Sequence, residues 1–269
     1  MYLGLIGYPL EHSVSPAMHE AALKSLDIQG CYLTFEVKPR DLKLAILGAK
    51  SLGFKGLNVT IPYKEAVLDF TKPTNEAAIV RASNTVDLEK MISYNTDVYG
   101  AEMALRNVFG ESALVIGAGG AGKAVSFALI KKGFNVFLSN RTAKRGKNVV
   151  KLLQKYGSCS FIPLDDLIKL RGKVDLIVNA TPLGMKGFPR VVPMPLELLE
   201  EQPVVFDVVY NPIETPLIAH AKRVGCKIIY GIDMLVYQGA KSFEIWTGIS
   251  PPISVMKKSA LLAIESRKY

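Results

Sequence analysis

Ala113-Leu114-Val115-Ile116-Gly117-Ala118-Gly119-Gly120-Ala121-Gly122 is the stretch that decides the fold. A short apolar run ends in glycines with the spacing GxGxxG, and residues 120–132 beyond it have helical spacing. The first glycine permits a tight turn, the second lets the backbone approach a pyrophosphate, and the third lets the helix pack close to the strand. The helix N-terminus then presents N–H groups and the positive end of its dipole to phosphate. The competing reading is a glycine-rich turn that carries no ligand.

Strands and helices alternate outward from this turn. Downstream, residues 135–138, 175–178, 204–207 and 227–230 read as strands, and 143–155 and 212–224 as helices. Upstream, 3–7, 31–37 and 56–60 read as strands around helices at 16–26 and 42–52. Such alternation implies parallel sheets covered by helices on both faces. Residues 97–109 form a helix that runs straight into the second series and can act as a hinge. The tail, 234–266, reads as two helices separated by Pro251-Pro252, packed back on the first series. The expected architecture is therefore α/β with two domains. An N-terminal βαβ-type substrate domain takes residues 1–100 plus 237–269. A Rossmann-type, doubly wound dinucleotide-binding domain takes residues 101–236.

Composition narrows the function. In 269 residues, 49% hydrophobic and 21% charged, the balance is that of a globular protein. The net charge of +9 is spread along the chain with no block of five or six basic residues, so it reads as a solubility charge rather than a nucleic-acid stripe and supports small anionic ligands only mildly. No apolar run reaches about 18 residues and no signal peptide is read, so neither membrane nor secretion is expected, and the location is taken as cytoplasmic. Cys31, Cys159 and Cys226 form no CxxC pair, which fits a reducing compartment and argues against a zinc site; no metal is expected.

The end of the second strand chooses the dinucleotide. An NAD site carries a carboxylate there for the ribose hydroxyls. This chain has Ser139-Asn140-Arg141-Thr142, then Lys144 and Arg145, with no carboxylate. A guanidinium can hold a 2′-phosphate bidentately, which points to NADP. The plain alternative is a solvated basic helix start.

Three polar clusters punctuate the first series. In His12-Ser13-Val14-Ser15-Pro16, Ser15 reads as an N-cap with Pro16 at the first helical position, and both serines can bind a carboxylate at the positive helix end. In Asn58-Val59-Thr60-Ile61-Pro62-Tyr63-Lys64, Asn58 and Thr60 share a strand face and Lys64 opens the next helix. Ala82-Ser83-Asn84-Thr85 and Asn95-Thr96-Asp97 set polar groups beside turns. On their own, Lys64 is equally a solvated helix lysine, and Asp97 a helix N-cap.

The ordered series HSxSP, NVTxPxK, Asn84-Thr85, Asn95-Thr96-Asp97, GAGGAG, Asn140-Arg141-Thr142 and Asn179-Ala180-Thr181-Pro182-Leu183-Gly184-Met185 resembles the shikimate dehydrogenases over nearly the whole chain. Residues 231–240, GIDMLVYQGA, look like that family too. The resemblance implies an NADP-dependent oxidoreductase that reduces 3-dehydroshikimate to shikimate in chorismate and aromatic amino-acid biosynthesis. It implies that Ser13, Ser15, Asn58, Thr60, Lys64, Asn84, Asp97, Tyr210 and Gln238 bind shikimate, with Lys64 the acid/base paired with Asp97. It implies cofactor contacts from Gly117, Ala118, Gly119, Gly120 and Ala121, from Asn140, Arg141, Thr142, Lys144 and Arg145, and from Ala180, Thr181, Val208 and Gly231. The partner expected is a small molecule, with a homodimer as the assembly. Tyr63 and Ser83 depart from the family pattern, where Phe and an apolar residue are common. The rivals are a quinate or dual quinate/shikimate dehydrogenase of the same fold and, from another class, a non-catalytic NADP-binding sensor.

Overall fold

The computed structural model describes residues 1–10 and 13–266; His12 of the HSxSP element lies outside them. The first half runs β1 (Tyr2–Gly7), α1 (Ser15–Ser25), β2 (Cys31–Glu36), α2 (Leu42–Ser51), β3 (Phe54–Val59), β4 (Lys72–Pro73), α3 (Asn75–Val80), β5 (Thr85–Asp87), β6 (Ile92–Tyr94) and α4 (Thr96–Ala104). The second runs β7 (Ser112–Ile116), α5 (Gly120–Lys131), β8 (Asn135–Ser139), α6 (Ala143–Leu153), β9 (Cys159–Phe161), β10 (Leu176–Asn179), β11 (Val204–Asp207), α7 (Pro216–Arg223), β12 (Ile228–Tyr230), α8 (Gly231–Thr247) and α9 (Ile253–Glu265). The chain divides into two compact units, Met1–Gly100 with Val236–Tyr269, and Ala101–Leu235. Among the described residues no helix is long and apolar enough to cross a membrane.

The first unit holds a sheet in the order β2-β1-β3-β5-β6-β4. β1 pairs parallel with β2 and β3, but β5 runs antiparallel to both β3 and β6. This sheet is mixed, not purely parallel as expected. The extra strands are two or three residues long, too short for a periodicity to register. β1 is apolar throughout because both of its faces are covered. Ile6 packs with Leu57, Val59 and Val86 under Leu42 and Ile46 of α2. Leu3 and Leu5 pack with Tyr32 and Trp246. The Trp246 indole N–H donates to the Val86 carbonyl at 3.0 Å and Ser259 Oγ to the Ala17 carbonyl at 2.8 Å, so α8 and α9 are fastened to this unit's own strands and helices.

The second unit is a six-stranded sheet, all parallel in its pairings, in the order β12-β11-β10-β7-β8-β9. Numbered from β7, that is the doubly wound order whose direction reverses between the first and fourth strands, where ligands bind at the carboxyl edge. α6 buries Gly146, Val149, Val150 and Leu153, the one-sided stripe of a surface helix. α5 is buried along most of its length, from Gly122 to Ile130.

Several local expectations are corrected. α1 begins at Ser15 with Val14 at the cap, so Ser15 is a first-turn residue rather than the N-cap. Lys64 lies in a turn ahead of a short 3-10 segment, Ala66–Phe70, instead of opening an α-helix. α4 ends at Ala104, short of residue 109. α7 starts at Pro216 because Thr215 caps it, its Oγ1 accepting from Ile218 N–H at 3.2 Å. α8 starts at Gly231, three residues earlier than read.

Candidate active site

In the first unit, Lys64 Nζ meets Asp97 Oδ2 at 2.5 Å, the side chains being 18% and 7% exposed. Lys64 is therefore no freely solvated lysine. Nor is Asp97 a cap: that position belongs to Asn95, whose Oδ1 accepts from Val98 N–H at 3.2 Å and whose Nδ2 donates to the Ala82 carbonyl at 2.8 Å. Asp97 sits instead in the first turn of α4, where the helix dipole favours a negative charge.

Asn84 is the hub. Its Nδ2 faces Thr96 Oγ1 at 2.8 Å, Asp97 Oδ1 at 3.1 Å and Gln238 Oε1 at 2.8 Å, while its Oδ1 accepts from Thr96 N–H at 2.7 Å. Both oxygens of Asp97 are thus held, one by an amide and one by an ammonium. Lys64, Asp97, Asn84 and Gln238 form one directly bonded cluster. Asn58 lies behind it, pairing in register with Thr85 across β3 and β5. Its Oδ1 accepts from Tyr32 Oη at 2.7 Å and its Nδ2 is taken up by the Asn84 carbonyl (2.9 Å), Thr85 Oγ1 (3.1 Å) and Ser242 Oγ (3.1 Å). Thr60 follows β3, half-buried, with its backbone N–H on the Ile6 carbonyl at 2.9 Å. Ser13 Oγ accepts from Ser15 N–H at 3.3 Å at the start of α1. Tyr210 belongs to the second unit, in the connection from β11 to α7.

The two departures from the family pattern are accommodated by hydrogen bonds. Ser83 is fully buried, and its Oγ donates to the Tyr94 carbonyl at 2.7 Å. The Tyr63 hydroxyl donates to the Val37 carbonyl.

In the second unit the glycine turn needs a glycine at its first position. Gly117 adopts φ +115°, and a Cβ on it would lie 2.7 Å from the Ala180 carbonyl oxygen. No side chain caps the N-terminus of α5. Asn140 Oδ1 accepts from Ala118 N–H at 3.0 Å and Arg145 Nε donates to the Ala118 carbonyl at 3.2 Å, so these two residues brace the turn itself. Arg141, Thr142 and Lys144 are exposed past β8 with no carboxylate in that stretch, which suits a 2′-phosphate. At the end of β10, Asn179 Oδ1 accepts from both the N–H (3.0 Å) and the hydroxyl (2.7 Å) of Thr181, and Val208 N–H donates to the Asn179 carbonyl at 2.9 Å.

Comparison with known proteins shows the family. Residues 5–86 match the family described as the shikimate dehydrogenase substrate binding domain, 100–184 that of shikimate / quinate 5-dehydrogenase, and 231–261 that of the shikimate 5′-dehydrogenase C-terminal domain. A shikimate dehydrogenase (NADP+) of Archaeoglobus fulgidus is 56% identical over 266 residues, 98% of this chain and 99% of that one. The chain belongs to the shikimate dehydrogenase family. A crystal structure of the Thermus thermophilus shikimate 5-dehydrogenase with NADP(H) and shikimate superposes with a TM-score of 0.88 at 36% identity, covering 98% of this chain and 99% of that one. The quinate dehydrogenase of Corynebacterium glutamicum, in complex with NAD, gives a TM-score of 0.90 at 31% identity, covering 97% and 99%. The fold is the family's α/β pair of a substrate domain and a Rossmann-like domain.

Sequence reasoning passed over Tyr32, Thr85 and Ser242, which bond to Asn58, and Thr96, which bonds to Asn84. Ser242 carried a signal, lying one helical turn beyond Gln238. Thr85 and Thr96 are sequence neighbours of residues already singled out. Tyr32 sits in an apolar strand and gave none. Asp207 was read only as a strand end and Asn179 only as the first residue of its family element, although a polar residue closing a buried strand at a carboxyl edge is itself a signal.

Proposed function

We propose that this chain is an NADP-dependent shikimate dehydrogenase, reversibly reducing 3-dehydroshikimate to shikimate on the route to chorismate and the aromatic amino acids. The observation that carries this is the bonded cluster of Lys64, Asp97, Asn84 and Gln238. Bound NADPH supplies a hydride to the carbonyl carbon. Lys64 supplies the proton: its ammonium stabilises the negative charge growing on the oxygen and then neutralises it, and it takes the proton back in the oxidation. Asp97 aims the lysine through Oδ2. Its Oδ1, steadied by Asn84, accepts from a ring hydroxyl. Asn84, Gln238 and Thr60 hold the hydroxyls of the ring, and Ser13 and Ser15 take its carboxylate at the positive end of α1. Asn58 acts from behind, because its amide is already committed to four protein groups.

On the cofactor side, residues 117–121 receive the pyrophosphate at the N-terminus of α5. Arg141, Thr142 and Lys144 take the 2′-phosphate, with Asn140 and Arg145 bracing the turn. Ala180, Thr181, Val208 and Gly231 line the nicotinamide side. The reading extends to a cytoplasmic enzyme acting as a homodimer, which cell fractionation and sedimentation test.

One steady-state assay crosses shikimate and quinate with NADP+ and NAD+. Shikimate with NADP+ gives the highest kcat/KM. A clear preference for quinate, the second reading favoured by the likeness to the C. glutamicum enzyme, or for NAD+, overturns the assignment. No turnover with any pair leaves the sensor.

A further inference from the structure

Asp207 closes β11 with no exposed surface, and its partners are all neutral. Val209 N–H and Asn179 Nδ2 donate to Oδ1 at 3.0 and 2.9 Å, and Thr215 Oγ1 donates to Oδ2 at 2.6 Å. Each hydrogen can be placed. Thr215 Oγ1 accepts from Ile218 N–H, so its own hydrogen is directed at the carboxylate. Asn179 Oδ1 accepts twice from Thr181, so its amino group faces Asp207 and the Leu183 carbonyl, 3.2 Å away. Three donors on one carboxylate are charge-assisted bonds, roughly twice as strong as neutral ones. A neutral acid would set an O–H against one of them. Burial raises this carboxyl, and the same three donors pull it back down.

The bonds tie three segments together where the strand order reverses. Asn179 pairs with Asp207 on one side and with Ile116, the neighbour of Gly117, on the other. Just beyond, the Val208 carbonyl approaches Gly231 so closely that a Cβ there would lie 2.3 Å from it.

We infer that Asp207 is a positioning residue for the cofactor. Its carboxylate holds the β10 and β11 ends and the α7 cap in one arrangement, so that Thr181, Val208 and Gly231 stand ready for the nicotinamide half of NADP+. This rests on the assignment of those three residues under the proposed function.

The test is calorimetric titration at about pH 8, where the carboxyl is ionised, of the parent, Asp207→Asn, Thr215→Val and Thr215→Ser. The ligands are NADP+ and adenosine 2′,5′-bisphosphate, which lacks the nicotinamide half. Asp207→Asn and Thr215→Val weaken NADP+ about tenfold, the worth of a lost buried hydrogen bond to a charge. They leave the bisphosphate and the KM for shikimate within about twofold, and Thr215→Ser binds as the parent does. A folded Asp207→Asn protein that binds NADP+ like the parent overturns the inference. So does equal weakening of both ligands, the mark of a general structural role. If Asp207→Asn does not fold, the two Thr215 variants decide on the same criteria. A parent that binds NADP+ no better than the bisphosphate instead refutes the nicotinamide-side assignment.

Discussion

Asp97 in the first unit and Asp207 in the second are both buried carboxylates at the centre of a polar cluster, and they keep different company. Asp97 is bonded to a cation that retains some exposure, and to an amide. Asp207 is wholly enclosed and has only neutral donors. A buried charge costs several kcal/mol unless paired or hydrogen-bonded, and the two clusters meet that cost by different means. The ion pair keeps a proton within reach of the site, as acid/base chemistry requires. The enclosed carboxylate faces no acid or base among its partners, so its contribution is shape. Under the proposed function, the contrast separates a part of the molecule that reacts from a part that holds its form.

The largest effect should come from removing the reacting partner. Lys64→Ala lowers kcat by about a thousandfold, within the range expected of a positioned general acid. Shikimate binding, measured directly, changes far less. Near-normal turnover in this variant would erase the distinction between the clusters, because neither would then move a proton.

Asp207 should show its character in stability rather than rate. Its carboxyl ionises near 3.8 when unfolded and is pushed up to about 6 by burial. Between those values the folded state binds the extra proton, so stability falls as pH rises through the window. The loss totals about 3 kcal/mol and persists above it. In Asp207→Asn that component vanishes. The difference in unfolding free energy between parent and variant therefore slopes from about pH 4 to 6 and is flat on either side. A difference that is flat throughout would mean that the enclosed carboxylate is no more perturbed than a surface one. Above the window the parent retains a destabilising charge, consistent with a group kept for position rather than for stability.

Arg141 tests the exposed edge of the same unit with a smaller effect. Arg141→Ala raises the KM for NADP+ by about thirtyfold, the loss of a charged phosphate contact, and leaves that for NAD+ nearly unchanged. An equal loss with both cofactors would move the 2′-phosphate contact elsewhere.

The two clusters were unequally legible in the sequence. The glycine turn could be read because strand, turn and helix are contiguous, and each glycine has a local reason to be there. Lys64 and Asp97 could be named, but not their roles: alone, one matched a solvated lysine and the other a cap. What decided between these readings is non-local, an ion pair across 33 residues and the capture of the cap position by Asn95. Strands β4, β5, β6 and β9 were missed because two or three residues show no period. The Asp207 cluster was invisible for a further reason. It joins residues 179, 207 and 215, each of which looks like an ordinary strand end or helix cap until the parallel register sets Asn179 beside Asp207.

The smallest predicted effect concerns how the Asn84 hub keeps its orientation. Ser242 Oγ lies 2.9 Å from the Gln238 carbonyl, which can only accept, so the serine hydrogen goes there. Ser242 Oγ is then an acceptor for its neighbours, shared among Thr85 at 2.7 Å, Thr96 at 3.0 Å and Asn58 Nδ2 at 3.1 Å. With its hydrogen so placed, Thr96 Oγ1 is an acceptor for Asn84 Nδ2, and the Asn84 amide cannot flip without setting its oxygen against Asp97 and Gln238. Ser242→Ala removes the acceptor and frees both threonine hydroxyls to compete for the Asn84 and Gln238 amides. The expected result is a KM for shikimate raised about three- to tenfold, kcat within about twofold, and stability lower by about 1 kcal/mol. If stability falls while the KM stays put, the backbone N–H of Thr96, which donates to Asn84 Oδ1 at 2.7 Å, is enough to hold the amide, and the hydroxyls behind it serve the fold alone.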